Sequence, residues 1–176
     1  FTAEVLARDM VRHAGLEDAT FDDLKKPVYI TASDINSGRQ IVFGPPSPLT
    51  PLPVGEGDTY VTGVSLVDAL EATISLPMIF KPKRVLINNK VHALCDGGMT
   101  ENCPITAAAR IAGVKRILAV DLGCLAGGDT DYSTKNIADV FLRYVDMVGS
   151  YPQLKASLKD EIFRRKNISL RILNPG

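Results

Sequence analysis

Val85-Leu-Ile-Asn-Asn-Lys-Val-His-Ala-Leu-Cys-Asp-Gly-Gly98 reads as two apolar strands joined through an asparagine pair and ended by an acid and two glycines. Asparagine tolerates the left-handed backbone of a two-residue hairpin turn, so Asn88-Asn89 predicts a tight hairpin between residues 85–87 and 90–95. An acid at the carboxyl end of a strand stands where open α/β sheets build their sites. Gly97 and Gly98 lack a Cβ, which lets another group approach the Asp96 carboxylate and frees the backbone to turn. A turn aspartate that only accepts backbone N–H bonds has the same local sequence. Asp-Gly-Gly alone therefore marks a candidate and assigns no role.

Upstream, residues 2–14 read as an amphipathic helix with Val5, Leu6, Met10 and Val11 as its apolar stripe and Gly15 as its stop. It begins without a Met or a capping residue before Phe1, a hint of a cut from a longer chain. Residues 28–31 and 40–43 predict a hairpin around Asn36-Ser37-Gly38. Residues 44–58 hold five prolines and three glycines, too many for a regular element, and predict an exposed connector. Ser65 with Asp68 three residues later starts a helix over 64–76 that is apolar on nearly every side, as expected of burial on more than one face, and Pro77 ends it.

Downstream, residues 104–112 predict a helix stopped by Gly113. Residues 116–120 form a short apolar run bounded by turn signals, the pattern of a buried parallel strand. Ile137, Val140, Phe141, Tyr144, Val145 and Val148 recur at helical spacing. A further helix carries Tyr151, Leu154, Leu158 and Ile162, closed by Arg164-Arg165-Lys166, and residues 169–173 read as a final strand. The order is mixed α and β, and an α/β sandwich is the architecture it favours.

Composition narrows the function classes. The 176 residues carry 20 Lys+Arg against 20 Asp+Glu, a balance that argues against a nucleic-acid binder. With 45% hydrophobic and 23% charged residues, the chain has the profile of a globular protein and intrinsic disorder is excluded. No apolar run is long enough to span a bilayer, and FTAEVLARDM has no signal-peptide pattern. The three cysteines leave at least one unpaired and form no Cys-x-x-Cys, so neither a zinc site nor a cofactor is expected. A reducing, cytoplasmic home follows from that reading.

Other candidates are weaker. Asp121-Leu122-Gly123 with Gly127-Gly128 ends the apolar run 116–120 but matches no phosphate-loop spacing. His92 shares strand parity with Asp96, yet four residues place them about 13 Å apart, too far for a direct pair. His13 has no partner at a telling spacing, and the cysteines read as packing residues. No Ser stands in a G-x-S-x-G elbow. On its own residues, the chain offers a base without a nucleophile.

Read in order, these pieces resemble the patatin-like phospholipase family, in its bacterial branch. The resemblance lies in Thr20-Phe-Asp-Asp-Leu-Lys-Lys-Pro27, Ile30-Thr-Ala-Ser-Asp34 with Ser37-Gly-Arg39, and Val67-Asp-Ala-Leu-Glu-Ala-Thr-Ile-Ser-Leu-Pro77-Met-Ile-Phe80. It continues through Asp96-Gly97-Gly98, Asn102-x-Pro104 and Val114-x-x-Ile117-x-Ala-Val-Asp121-Leu-Gly123, collinear from about residue 20 to residue 123.

The resemblance implies a patatin-like α/β sandwich with a mixed, partly parallel central sheet and flanking helices. It implies a serine acyl hydrolase, a phospholipase or esterase of lipid degradation that works through a Ser–Asp dyad. Asp96 matches the dyad base, and Gly97 and Gly98 match the glycines of its block. The family's oxyanion loop and nucleophile segment have no counterpart here, so residues 1–176 are expected to be the C-terminal portion of a single patatin-like domain, incomplete at its N-terminal side. Alone, that portion is expected to be inactive and unstable. The expected partners are a lipid or acyl-ester substrate, a membrane surface touched peripherally, and the missing N-terminal part. Two alternatives remain open: a catalytically dead patatin-like scaffold that binds lipid or a partner, and a nucleotide-handling α/β domain using Asp121.

Overall fold

The computed structural model describes residues 2–46, 59–111, 114–120, 135–137, 139–141, 143 and 167–173. The chain divides into two compact units, Phe1–Thr100 and Glu101–Gly176.

The first unit is built on a five-stranded mixed sheet in the order β3-β2-β1-β5-β4. Its strands are β1 (Ile30–Asp34), β2 (Arg39–Phe43), β3 (Thr59–Val61), β4 (Lys83–Ile87) and β5 (Lys90–Asp96). Both expected hairpins form: β1 pairs antiparallel with β2, and β4 with β5. Gly38 turns the first at φ 69°, and Asn88 and Asn89 turn the second at φ 50° and 61°. The first strand starts two residues later than its sequence pattern and runs to Asp34. The step that makes one sheet of two hairpins is the antiparallel pairing of β1 with β5, Ala32 opposite Asp96 and Asp34 opposite Leu94. Only β3 joins in parallel, alongside β2.

Helix α2 (Leu66–Ile74) packs against β1, β5 and β4 on one side and against α1 (Glu4–His13) on the other. Being packed on two sides explains why its sequence is apolar nearly all round; Leu66, Val67, Ala69 and Ala72 are buried together with Glu71. Ser65 caps it as expected, its Oγ accepting the Asp68 N–H at 3.1 Å, a contribution of about 1 kcal/mol. Helix α1 departs from its sequence pattern. Its buried positions are Ala7 and Val11, with Ala3 just before the first turn. Val5, Leu6 and Met10 are 71%, 50% and 46% exposed. Ala3, Ala7 and Val11, spaced by four, thus form its buried face, and α1 packs against α2.

In the second unit, the short helix α4 (Ile105–Arg110) follows the single turn α3 (Gly98–Glu101) that straddles the division. Pro104 offers α4 no side-chain cap; the buried Glu101 carboxylate accepts instead from the Thr106 N–H at 3.2 Å and from its hydroxyl. Strands β6 (Arg116–Val120) and β7 (Ser169–Leu173) pair in parallel. The parallel strand expected at 116–120 is thus present, but its burial is not: Ala119 is buried while Leu118 and Val120 are 62% and 55% exposed. Residues 137, 139–141 and 143 are helical, in keeping with the spacing from Ile137. The Pro-rich stretch from residue 47 to 58, Asp121, Gly123, Gly127, Gly128, the helix stop at Gly113 and the helix around Leu154 and Leu158 lie outside the described residues.

Candidate active site

Asp96 is the last residue of β5, and its half-buried side chain sits where the sheet gives way to the turn into α3. Three anchors hold it. Its backbone N–H donates to the Ser75 carbonyl at the end of α2, at 3.1 Å. Its carbonyl accepts from Ser33 Oγ on β1 at 2.8 Å. Its carboxylate Oδ1 accepts the Gly98 N–H at 2.7 Å. No group among the described residues hydrogen-bonds Oδ2. The turn-aspartate bond anticipated from sequence is therefore made, but by one oxygen alone.

Gly97 is required by contact rather than by backbone freedom. The pairing of β1 with β5 ends at Ala32 opposite Asp96, and Gly97 follows directly, close against Thr31. A Cβ there would lie 2.4 Å from the Thr31 carbonyl oxygen and 2.8 Å from Thr31 Oγ1. Gly98 serves through its backbone N–H, the donor to Asp96.

A second polar cluster lies further along the same two strands. Asp34, 1% exposed, accepts from Ser37 Oγ at 2.6 Å and from the Asn36 N–H at 3.2 Å. His92 Nδ1 is 2.9 Å from its Oδ2. Burial pushes the Asp34 carboxyl up, but these donors outweigh it and hold it below the usual carboxylate range. An ionised carboxylate only accepts, so His92 Nδ1 carries the proton. His92 thus finds its partner across the sheet in Asp34 and not along the strand in Asp96. The remaining histidine, His13, places Nδ1 2.7 Å from the Asp9 carbonyl one turn back on α1.

Cys95 is buried, and burial, followed by the nearby charges of Asp96 and Asp34, pushes its thiol up to about 11. It stays a neutral thiol at ordinary pH and packs, as the sequence led us to expect. Cys103 is half-buried, and Cys124 lies outside the described residues. Among the described residues no cluster of His, Cys, Asp and Glu is fit to hold a metal ion, and no helix is long and apolar enough to cross a membrane.

The residues that sequence reading missed are Thr31, Ser33, Ser75 and Thr100, all of which touch the Asp96 turn. One signal was present. Thr31 and Ser33 put two hydroxyls on one face of a strand whose neighbours are buried, a position that calls for specific partners.

A family model for patatin-like phospholipase matches residues 1–109. The match takes in α1, which the sequence resemblance had left out, and every element of the five-stranded sheet, with Asp96, Gly97 and Gly98 inside it. It stops before the block 114–123 that the resemblance had included. No curated protein matches the chain. A mixed sheet with flanking helices, covered by that match over more than half of the chain, places this protein in the patatin-like phospholipase family.

Proposed function

We propose that this chain carries the general base of a serine acyl hydrolase that cleaves fatty-acyl esters of lipids, and that Asp96 is that base. The observation that carries the reading is the asymmetry of the Asp96 carboxylate: Oδ1 is held by the Gly98 N–H, while Oδ2 has no hydrogen-bonding partner among the described residues. A carboxylate fixed through one oxygen presents the other in a defined direction, as direct proton transfer requires.

In this reading Asp96 takes the proton of a serine hydroxyl as that oxygen attacks the ester carbonyl. The proton then passes to the departing alcohol oxygen, leaving an acyl-serine. Asp96 next takes a proton from water as the water oxygen attacks the acyl carbon, and the serine is regenerated with release of the fatty acid. Gly97 keeps the approach to the carboxylate open. The sequence contains no G-x-S-x-G elbow, so the serine comes from residues outside these 176, and the chain is one portion of a single patatin-like domain. Without that serine the chain by itself does not turn over ester. The working place is the cytoplasm, at lipid surfaces reached peripherally.

The test is an Asp96→Asn variant of the protein that carries this chain together with its serine, measured on a short-chain ester. Turnover falls by about 10²–10⁴-fold, the usual contribution of a general base, while the far-ultraviolet spectrum stays unchanged. Near-full turnover in that variant removes Asp96 from the chemistry. Fluorophosphonate labelling of the 176 residues alone would place the nucleophile among them and defeat the assignment of the serine.

A further inference from the structure

Ser33 is 4% exposed on β1, yet its hydroxyl serves a turn 63 residues further along the chain. Ser33 Oγ donates to the Asp96 carbonyl at 2.8 Å. It accepts the Thr100 N–H at 3.1 Å and lies 2.9 Å from Thr100 Oγ1. Thr100 Oγ1 is in turn 3.2 Å from the Gly97 carbonyl. A hydroxyl has one proton and two lone pairs, so Ser33 is saturated by Asp96 and the two groups of Thr100.

These bonds act on the peptide planes that follow Asp96. A strand that breaks into a helical turn loses its ladder partners at the break, and the freed carbonyls need donors when buried. Ser33 Oγ supplies the donor at residue 96, and the Thr100 N–H, 3.3 Å from the Gly97 carbonyl, supplies one at residue 97. With those planes set, the Gly98 N–H is aimed at Asp96 Oδ1, 2.7 Å away. Ser33 reaches the carboxylate only through the backbone, and strand pairing does not require its hydroxyl: the register of β1 with β5 sets Ser33 opposite Cys95, where an alanine would keep the ladder.

On this basis we infer that Ser33, with Thr100, is a positioning residue for the Asp96 carboxylate. The hydroxyl hub between β1 and α3 orients the base and leaves its free oxygen pointing one way. This rests on the reading of Asp96 as general base, and the two are separable by experiment.

Two measurements on Ser33→Ala and Thr100→Val test it, the second variant standing in where the first fails to fold. In the protein that carries this chain together with its serine, hydrogen exchange of the Gly98 amide accelerates about tenfold, the size of one lost hydrogen bond, while amides of β2 keep their protection. In the protein with its serine, kcat falls on the order of 10²-fold, as for a slightly misplaced catalytic group, with KM unchanged. Unaltered Gly98 exchange in the variants overturns the inference, and so does unaltered kcat beside an inactive Asp96→Asn. Full turnover in Asp96→Asn overturns the base assignment and this inference with it.

Discussion

Glycine 97 shows what one missing methyl does. Its Cα packs against the Thr31 backbone so closely that any side chain would sit 2.4 Å from the carbonyl oxygen. A backbone carbonyl in the middle of a paired strand cannot swing aside, so β5 and β1 must separate at this point. Gly97→Ala is expected to cost about 1–3 kcal/mol by overpacking, read as a lower denaturation midpoint, and to abolish turnover in the complete enzyme. Normal stability with normal turnover would show that the strands part there at little cost. Asn88 and Asn89, by contrast, need only left-handed backbone, which their own side chains tolerate.

Among the elements, α2 is held to the sheet edge by charge as well as by apolar packing. Lys83 Nζ on β4 is 2.6 Å from Glu71 Oε2 and 2.5 Å from Asp68 Oδ1 on α2. Glu71 is 3% exposed, so its carboxylate depends on that ammonium. Burial pulls the Lys83 ammonium down, but the Asp68 and Glu71 carboxylates raise it above its ordinary value. Lys83→Met would leave a buried carboxylate unpaired, at an expected cost of about 3–5 kcal/mol in urea unfolding. Adding Glu71→Gln should recover part of that loss, since the stranded charge is then gone. A Lys83→Met variant as stable as the parent would show that Glu71 is not held by this pair. The element most misread from sequence, α1, carries the complementary lesson: of its expected stripe only Val11 is buried, joined by Ala7, while Val5, Leu6 and Met10 are exposed.

For the whole molecule, the acid limb of stability gathers these carboxylates. Asp34 and Asp68 both lie below the usual carboxylate range, because donors outweigh the opposing effect of burial at each. A carboxylate lowered on folding stabilises above its unfolded value of about 3.9, and that stabilisation fades as pH falls through the lower folded value. Asp34→Asn should therefore cost about 1–3 kcal/mol near neutral pH, where Ser37 and His92 lose their charged partner. The gap between parent and variant should begin to narrow below about pH 4 and close only below the lowered folded value, when the folded parent's carboxyl is itself protonated. Denaturation midpoints taken between neutral pH and pH 2.5 check this, and a gap that stays constant would contradict it.

Much of the architecture was readable from the chain because its signals are local. Ser65 caps a helix through a bond to a residue three positions on, Pro77 follows the end of that helix, and an asparagine pair closes a hairpin; each acts within about four residues. Asp96-Gly97-Gly98 stood out for the same reason. Sequence could not show that β1 inserts between β2 and β5, since any apolar strand edge satisfies the same alternation of side chains. That one pairing sets Ser33 against the Asp96 turn, Thr31 against Gly97 and Asp34 beside His92. The sequence by itself determined the two hairpins, helix α2, their order and the acid at the end of β5, while the short β3 and α3 carried no signal that was read. The tertiary structure alone decided which hydroxyls, carbonyls and charges surround that acid, because register between distant strands is chosen by the burial of the whole sheet and not by any residue's neighbours in the chain.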